Sequence, residues 1–224
     1  MIITHEYLTI NQYSRPHIPM EKVKGIVIHW VANPGSTALA NRNYFEDLKI
    51  GKRNSKGEYI YASSHYIVGL KGEIIGCIPE TEIAYHASNA NGDHIGIEVC
   101  HPDWQGQFSE TTYQTLIELT ADICKRYQLD PMKDIIRHYD VTGKDCPRYY
   151  IKNPSAWERL KKDVIDKMAV KSLNTMKIEI NGNLREIAAI NIEGNNYVKL
   201  RDLADEKIKV SYDAERKLPI INVE

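Results

Sequence analysis

Short apolar runs alternate with longer amphipathic segments over roughly the first 168 residues. The run Val23–Trp30 is dense in β-branched residues and predicts a buried strand. Ile135–Arg137 predicts a short strand later in the chain. Three further apolar runs predict strands: Tyr59–Leu70, Ile74–Ile78 and Ile95–Cys100. With helices between them in no repeating β-α-β order, the pattern predicts an α/β fold, a mixed central sheet with helices packed on it.

Three segments have the apolar spacing of amphipathic helices. In the first of them, we expect Leu39, Tyr44 and Leu48 to face inward. Polar residues that favour N-caps precede the first two. The predicted helices are Thr37–Leu48 after Ser36, Thr112–Tyr127 after Ser109, and a last helix that opens at Pro154-Ser155.

The character of the chain changes near residue 169. We predict a linker over 169–175 and a small β-rich domain over 176–224, with short strands and polar turns. Asn181-Gly182 is a hairpin signal, and Gly194–Asn196 predicts another turn. Residues 201–207 could form one helical segment.

Composition excludes several classes of partner. With 29 Lys and Arg against 30 Asp and Glu, the formal net charge of −1 gives no electrostatic reason to expect nucleic acid or an anionic membrane as a partner. No window is long and apolar enough to predict a membrane span, and the N-terminal stretch lacks the features of a secretory signal. Cys77, Cys100 and Cys124 lie in apolar segments, so we expect reduced core thiols.

The stretch Arg137–Pro147 reads R-H-Y-D-V-T-G-K-D-C-P and carries the strongest chemical signal. It places His138 and Cys146 eight residues apart on a Gly-containing turn, and imidazole and thiolate suit Zn²⁺. The best third ligand is His29, at the end of the first buried strand. Two His and one Cys leave the fourth tetrahedral position open, which is the catalytic pattern. His65 and His86 are competing ligands.

Five motifs follow one another in a family order: I-V-I-H-W, S-H-Y-I-V, A-Y-H-A, I-G-I-E-V-C and H-Y-D-V-T-G-K-D-C-P. Residues 1–168 thereby resemble the zinc-dependent N-acetylmuramoyl-L-alanine amidases of type 2. That family includes phage endolysins, and peptidoglycan-recognition proteins share its fold. The resemblance implies zinc on His29, His138 and Cys146. It also implies peptidoglycan as substrate, cleaved at the amide between N-acetylmuramic acid and L-alanine of the stem peptide.

An amide hydrolase needs a base and a group that stabilises the oxyanion. Glu98 is the one acid within the apolar run I-G-I-E-V-C, so we expect it to face a cleft and act as the base. The alternative is an exposed Glu on an edge strand. Lys144 could hold the oxyanion, and Asp140 could orient the turn or a ligand. We expect the substrate to contact three further residues: Trp30, Asn33 and His86.

Ser64 departs from the family pattern, because some phage members have a Tyr at this position. The Tyr role is therefore absent, which makes Glu98 more necessary. Residues after 175 resemble the small stalk-like domain at the N-terminus of copper amine oxidases, without a copper site. We expect that part to bind wall polymer or form a homo-oligomer.

Other classes of function stay open on the sequence alone. One is a non-catalytic peptidoglycan-binding module of the same fold, and another is a protein with a structural zinc site. The presence of Cys146 and Glu98 argues against the first. For the hydrolase, we expect synthesis in the cytoplasm without a signal peptide and action on the wall after release, either as a phage endolysin or as a host autolysin.

Overall fold

A computed structural model describes residues 1–169, 174–192, 195–213 and 218–223. The chain divides into two compact units, Met1–Met168 and Ala169–Glu224. The middle of the predicted linker, residues 170–173, lies outside the described residues.

The first unit is built on a six-stranded mixed sheet. Its strands are β1 (Thr4–His5), β2 (Gly25–Trp30), β3 (Tyr66–Val68), β4 (Ile74–Gly76), β5 (His94–Val99) and β6 (Ile135–Arg137). They lie in the order β1-β4-β3-β5-β2-β6, and β2 pairs in parallel with both β5 and β6. The predicted strands are present, but the long run Tyr59–Leu70 forms a strand only at β3. The edge strand β1 was not predicted, since two residues give no periodicity.

Helices cover both faces of this sheet. They are α1 (Ala38–Asp47), α2 (Glu110–Tyr127), α3 (Pro131–Asp134), α4 (His138–Thr142), α5 (Arg148–Lys152) and α6 (Pro154–Ala169), with 3-10 turns at Leu48–Ile50 and Ser88–Gly92. Residues from α2 and α6 share a core cluster with Ile28 and Ile97, on one face of the sheet. Phe45, which belongs to α1, packs in a second cluster with Ile67, on the other face.

The helix predictions hold for α2 and α6 and fail in part for α1. Ser109 caps α2 as predicted, its hydroxyl accepting a hydrogen bond from Thr112 N at 3.3 Å. At α1 the cap is Thr37 instead of Ser36. The expected inward residues Leu39 and Tyr44 are 48% and 47% exposed.

The inward face of α1 is set by a polar residue. The buried positions are Ala38, Asn41 and Phe45. Asn41 is buried because its amide donates to the Ser36 hydroxyl and to the Thr37 carbonyl, at 2.8 and 2.9 Å. A buried amide with its hydrogen bonds satisfied can occupy a core-facing position that apolar periodicity alone assigns elsewhere.

The second unit contains β7 (Asn174–Ile180), β8 (Asn183–Ile192) and β9 (Asn195–Val198) in one antiparallel sheet, and β10 (Ile208–Asp213) paired with β11 (Leu218–Val223). The predicted hairpin turn is confirmed, because Asn181 and Gly182 both have positive φ, at 51° and 79°. The predicted helix over 201–207 is wrong: a 3-10 turn spans Leu200–Leu203. Gly194 lies outside the described residues, and Asn195 and Asn196 already belong to β9.

The four cysteines are free and buried, in agreement with the prediction for the three core thiols. Within the described ranges, no helix is long and apolar enough to cross a membrane.

Candidate metal centre

Strand register brings His29 and Glu98 together. His29 is the fifth residue of β2, and its register partner on β5 is Glu98. Side chains alternate between the two faces of a sheet, so the neighbours Ile28 and Ile97 enter the core beneath α2 and α6 while His29 and Glu98 point to the opposite face. Strands β2 and β5 therefore contribute apolar side chains to the core on one face and His29 and Glu98 to a polar site on the other face.

The turn after β6 brings His138 and Cys146 to the same place. His138 is the first residue of α4, directly after β6, which pairs with β2. The carbonyl of Cys146 accepts a hydrogen bond from Tyr139 N at 2.9 Å, which folds the turn back onto α4. Ligands eight residues apart in the chain thereby become neighbours.

Asp140 fixes this turn and does not contact a ligand. Its carboxylate accepts from the Arg137 backbone N–H at 2.8 Å and from the Arg137 guanidinium. The same guanidinium donates to the Tyr150 carbonyl at 3.0 Å and so ties the start of α4 to α5. Of the two roles considered for Asp140, this contact set supports the one of orienting the turn.

His29, His138 and Cys146 form a cluster whose ligand atoms all lie within 4.8 Å of one another. Cys146 Sγ is 3.7 Å from His29 Nδ1. Two ligands at ordinary Zn–S and Zn–N bond lengths in a tetrahedral site are about 3.5 Å apart, so this pair fits a zinc ion. His138 Nδ1 is buried without a hydrogen-bond partner among the described residues, so this nitrogen is available to a metal ion.

Burial sets the protonation of the three side chains. It lowers the pKa of His29 well below its ordinary value, and the nearby charges of His86, His138 and Lys144 act in the same direction. Burial and Lys144 lower the pKa of His138 to about 4. Both imidazoles are therefore neutral near pH 7, which is the form that binds metal. Burial raises the pKa of the Cys146 thiol, so metal binding must displace its proton.

Glu98 lies beside the cluster with one oxygen unused. Its Oε2 is buried and has no hydrogen-bond partner within the described part of the chain. Burial raises the pKa of Glu98 to about 8, and the Lys144 charge opposes that rise. A buried carboxyl with a free oxygen and a raised pKa is suited to exchange protons near neutral pH.

An open cleft of about 350 Å³ adjoins the cluster. Four residues predicted to act on the substrate line it, namely Trp30, Asn33, Glu98 and Lys144. The sequence pattern did not indicate that α1, the residues after β2 and the segment before β3 contribute to the cleft. The additional lining residues are Val31, Ala32, Asn41, Tyr44, Phe45 and Ala62.

His86, which we expected to contact substrate, is not among the residues that line the cleft. The residue is 8% exposed. Its Nδ1 is 3.1 Å from His29 Nε2, and its Nε2 is 3.0 Å from the His94 carbonyl oxygen. Both ring nitrogens are thereby engaged within the protein.

His65 is a packed histidine, as favoured from the sequence. Its Nε2 donates to the Glu82 carbonyl at 2.9 Å, and its Nδ1 accepts from Gly96 N at 2.9 Å. Neither nitrogen is free for a metal. Ser64 is buried as well and donates to the Tyr66 carbonyl at 2.9 Å.

A mixed α/β domain with an open cleft, close to a His-His-Cys cluster that could hold a metal ion, has the features of a hydrolase. The chain belongs to the N-acetylmuramoyl-L-alanine amidase family, whose profile matches residues 19–149. Among curated relatives, the amidase BlyA of Bacillus subtilis (strain 168) is 33% identical over 193 residues, which cover 77% of this chain and 49% of that protein. The amidase CwlL of Bacillus licheniformis is 38% identical over 174 residues, 72% of this chain and 46% of that protein.

This chain thus spans about half the length of the curated relatives it matches. Solved structures confirm the fold. A mutant endolysin from Bacillus subtilis aligns with a TM-score of 0.59 at 23% identity, over 73% of this chain and 98% of that structure. The hydrolase AmiA of Staphylococcus aureus, in complex with its ligand, aligns with a TM-score of 0.57 at 18% identity, over 76% of this chain and 84% of that one.

Proposed function

We propose that the first unit is a zinc-dependent amidase that hydrolyses peptidoglycan between N-acetylmuramic acid and the L-alanine of the stem peptide. The family and its relatives BlyA and CwlL, which are N-acetylmuramoyl-L-alanine amidases, support the reaction class. The observation that carries the proposal is the His29–His138–Cys146 cluster, together with Glu98, which lies beside His29 and lines the open cleft with Lys144.

His29, His138 and Cys146 would hold the ion and leave one tetrahedral position open. Zinc in such a site supplies Lewis acidity, which polarises a carbonyl and lowers the pKa of water. The water oxygen bonds to the carbonyl carbon, and Glu98 takes one water proton at its unpaired Oε2. As the carbon–nitrogen bond breaks, Glu98 delivers that proton to the L-alanine nitrogen, so the products are a lactyl carboxylic acid and a free amine.

Lys144 is exposed at the edge of the same cleft and provides a positive charge where the oxyanion develops. Asn33, on the turn after β2, lines the cleft and offers an amide to the peptide part of the substrate. Trp30 is only 5% exposed, because His101 stacks on its ring at 4.5 Å and Arg148 lies 4.8 Å from its centroid. It therefore forms a rigid wall of the cleft.

The direct test is to incubate the purified chain with bacterial peptidoglycan, with and without a chelator, and to identify the new end groups. Amidase activity releases peptides with a free L-alanine amino terminus and leaves the glycan strands intact. The chelator should abolish that release, and added Zn²⁺ should restore it. New reducing sugar ends, or cleavage within the peptide, would contradict the proposed bond specificity.

The alternative function is a non-catalytic peptidoglycan-binding module of the same fold. The same experiment distinguishes the two, because a binding module sediments with the wall and releases no peptide. Glu98 favours the enzyme, since a module that only binds has no use for a buried carboxyl with an unpaired oxygen.

For the second unit, we propose a role in wall binding or self-association and none in catalysis. Residues 1–168 contain every proposed catalytic group and form a compact unit. A chain truncated after residue 168 should therefore bind zinc and hydrolyse soluble muropeptides like the full chain. Its binding to intact walls, or its oligomeric state by light scattering, should change. A folded, zinc-loaded truncated chain without activity on soluble substrate would contradict this division.

A further inference from the structure

His86 occupies a buried position between a proposed metal ligand and the backbone. It is 8% exposed, and each of its ring nitrogens has a single partner. Nδ1 faces Nε2 of His29, while Nε2 faces the carbonyl oxygen of His94. The rings of His86 and His29 meet edge to face, with an interplanar angle of 88°. Neither nitrogen reaches the cleft.

The His94 carbonyl determines which atom donates in both hydrogen bonds of His86. A carbonyl oxygen only accepts, so His86 Nε2 carries the proton. The facing nitrogens of the two rings share one proton, and the ring proton of His86 is already on Nε2. His29 therefore donates from Nε2 to His86 Nδ1, which leaves the lone pair of His29 on Nδ1. That Nδ1 is the atom 3.7 Å from Cys146 Sγ.

We propose that His86 is a positioning residue that holds His29 in the tautomer and ring orientation in which Nδ1 faces the metal. The proposal rests on the metal centre proposed above. The His94 carbonyl sets the tautomer of His86, and His86 in turn sets that of His29. A hydrogen bond to the far nitrogen of a ligating imidazole orients the ring and raises its basicity.

The surrounding chain is built to hold the His86 ring in place. The side-chain oxygen of Asn91 accepts from His86 N at 2.9 Å and from Ala87 N at 2.7 Å, which fixes the backbone of the segment. Below the ring lies Gly96 of β5. A Cβ on Gly96 would come within 2.6 Å of His86 Cγ, so only glycine leaves room for the imidazole. Strand β5 therefore carries both Glu98 and the glycine that leaves space for the His86 ring.

The tautomers can be read directly in the parent protein. The full chain, labelled with ¹⁵N at histidine and freed of metal, gives distinct nitrogen shifts for protonated and unprotonated ring positions in long-range ¹H–¹⁵N spectra. We expect both His29 and His86 to be protonated at Nε2. A His29 ring protonated at Nδ1, or one that exchanges equally between tautomers, would overturn the proposal. Because this readout needs neither zinc nor turnover, it separates the proposal from the proposed function.

Variants of His86 test the consequence for metal binding. His86→Leu removes both hydrogen bonds, whereas His86→Gln offers an acceptor and a donor on one planar amide. Loss of such a supporting partner typically reduces metal affinity about 10–100-fold, so we expect that reduction for His86→Leu and a substantial recovery for His86→Gln. The measurement is competition for Zn²⁺ with a chromophoric chelator, with the Co²⁺ absorption spectrum as a signature of ligand geometry.

His65→Leu is the matched control. It also removes a buried histidine with two hydrogen bonds, but its partners are the Glu82 carbonyl and Gly96 N–H, and neither is a proposed ligand. It should lower stability and leave the Zn²⁺ affinity of the folded protein unchanged. Equal loss of affinity in His65→Leu and His86→Leu would show that the effect is general destabilisation, and parental affinity in His86→Leu would equally overturn the proposal.

Gly96→Ala tests the role of His86 independently, because it leaves every histidine side chain in the protein unchanged. The added methyl must displace the His86 ring, so the variant should lose Zn²⁺ affinity in the same direction as His86→Leu. In the metal-free protein, the His29 nitrogen shifts should move toward a tautomer mixture. Unchanged shifts and unchanged affinity in a folded Gly96→Ala protein would contradict the assigned role.

Discussion

His29 and Glu98 are register partners on the adjacent parallel strands β2 and β5, and His29 Nδ1 lies 3.9 Å from Glu98 Oε1. That separation is too long for a hydrogen bond, so His29 and Glu98 lie side by side without being bonded to each other. The register of two strands therefore fixes the distance between a proposed ligand and the proposed base.

Glu98→Gln should abolish most of the activity while it leaves zinc binding intact. The amide keeps the shape of the side chain but cannot accept the proton. Positioned acid–base groups contribute about 10²–10⁴-fold, and we expect the rate of L-alanine-terminated peptide release to fall by that factor. Zinc content, measured in parallel, should equal that of the parent. Parental turnover in this variant would exclude Glu98 as the base.

Cys146→Ser should lose zinc. A serine hydroxyl is a weaker ligand than a thiolate for this borderline ion, so metal analysis after dialysis should show strongly reduced occupancy. Cys124→Ala provides the control, because Cys124 is a buried thiol within α2 that does not belong to the His29–His138–Cys146 cluster. The control variant should retain full zinc. Full retention in Cys146→Ser would remove Cys146 from the site.

The sequence predicted that His29, His138 and Cys146 lie close together, because the signal is local and chemical. His138 and Cys146 lie on one turn, and His29 ends a run whose apolar density identifies a buried strand. Parallel pairing of β2 with β6 then brings the two segments together. Glu98 was predictable for a related reason, since an acid inside an apolar run indicates a special environment.

The position of His86 was not predictable in the same way. It lies in an irregular loop, where no periodicity indicates which direction a side chain takes. The register of β5 decides the outcome, because it places Gly96 beneath the ring. The prediction of which α1 residues face inward failed for a different reason. The buried amide of Asn41 donates hydrogen bonds to Ser36 and Thr37, and the pattern of hydrophobic residues does not predict these bonds.

Lys144→Met should lower kcat more than it weakens substrate binding. The lysine lines the cleft beside Glu98, and a charge aimed at the oxyanion interacts most strongly in the transition state. Loss of one such contact costs on the order of 10²–10³ in rate. Lys162→Met, an exposed lysine on α6, is the matched control and should behave like the parent. A variant at Lys144 that raises KM with kcat unchanged would assign the lysine to ground-state binding only.

Glu80 links the segment after β4 to α2, away from the proposed site. Its carboxylate accepts from the hydroxyls of Tyr66 and Tyr127 at 2.7 and 2.8 Å, and from the Arg126 guanidinium at 2.7 Å. Burial opposes the ionisation of Glu80, but these three donors outweigh it, and the pKa lies below its ordinary value. The carboxylate form is thus stabilised in the folded protein.

Glu80→Gln should therefore destabilise the first unit in a pH-dependent way. Because the folded-state pKa lies below the unfolded value of about 4.3, the stabilisation is complete above that pH and is lost as the pH falls through the folded pKa. Hydrogen bonds to a charged group contribute about 1.5–3 kcal/mol, which is the loss we expect at pH 7. Tryptophan fluorescence during urea unfolding measures it, because Trp30, Trp104 and Trp157 all lie in this unit. Glu21→Gln, at an exposed position, serves as the control and should leave the free energy of unfolding unchanged. A difference between Glu80→Gln and the parent that persists undiminished below the folded pKa would show that packing, and not the charge of Glu80, is responsible.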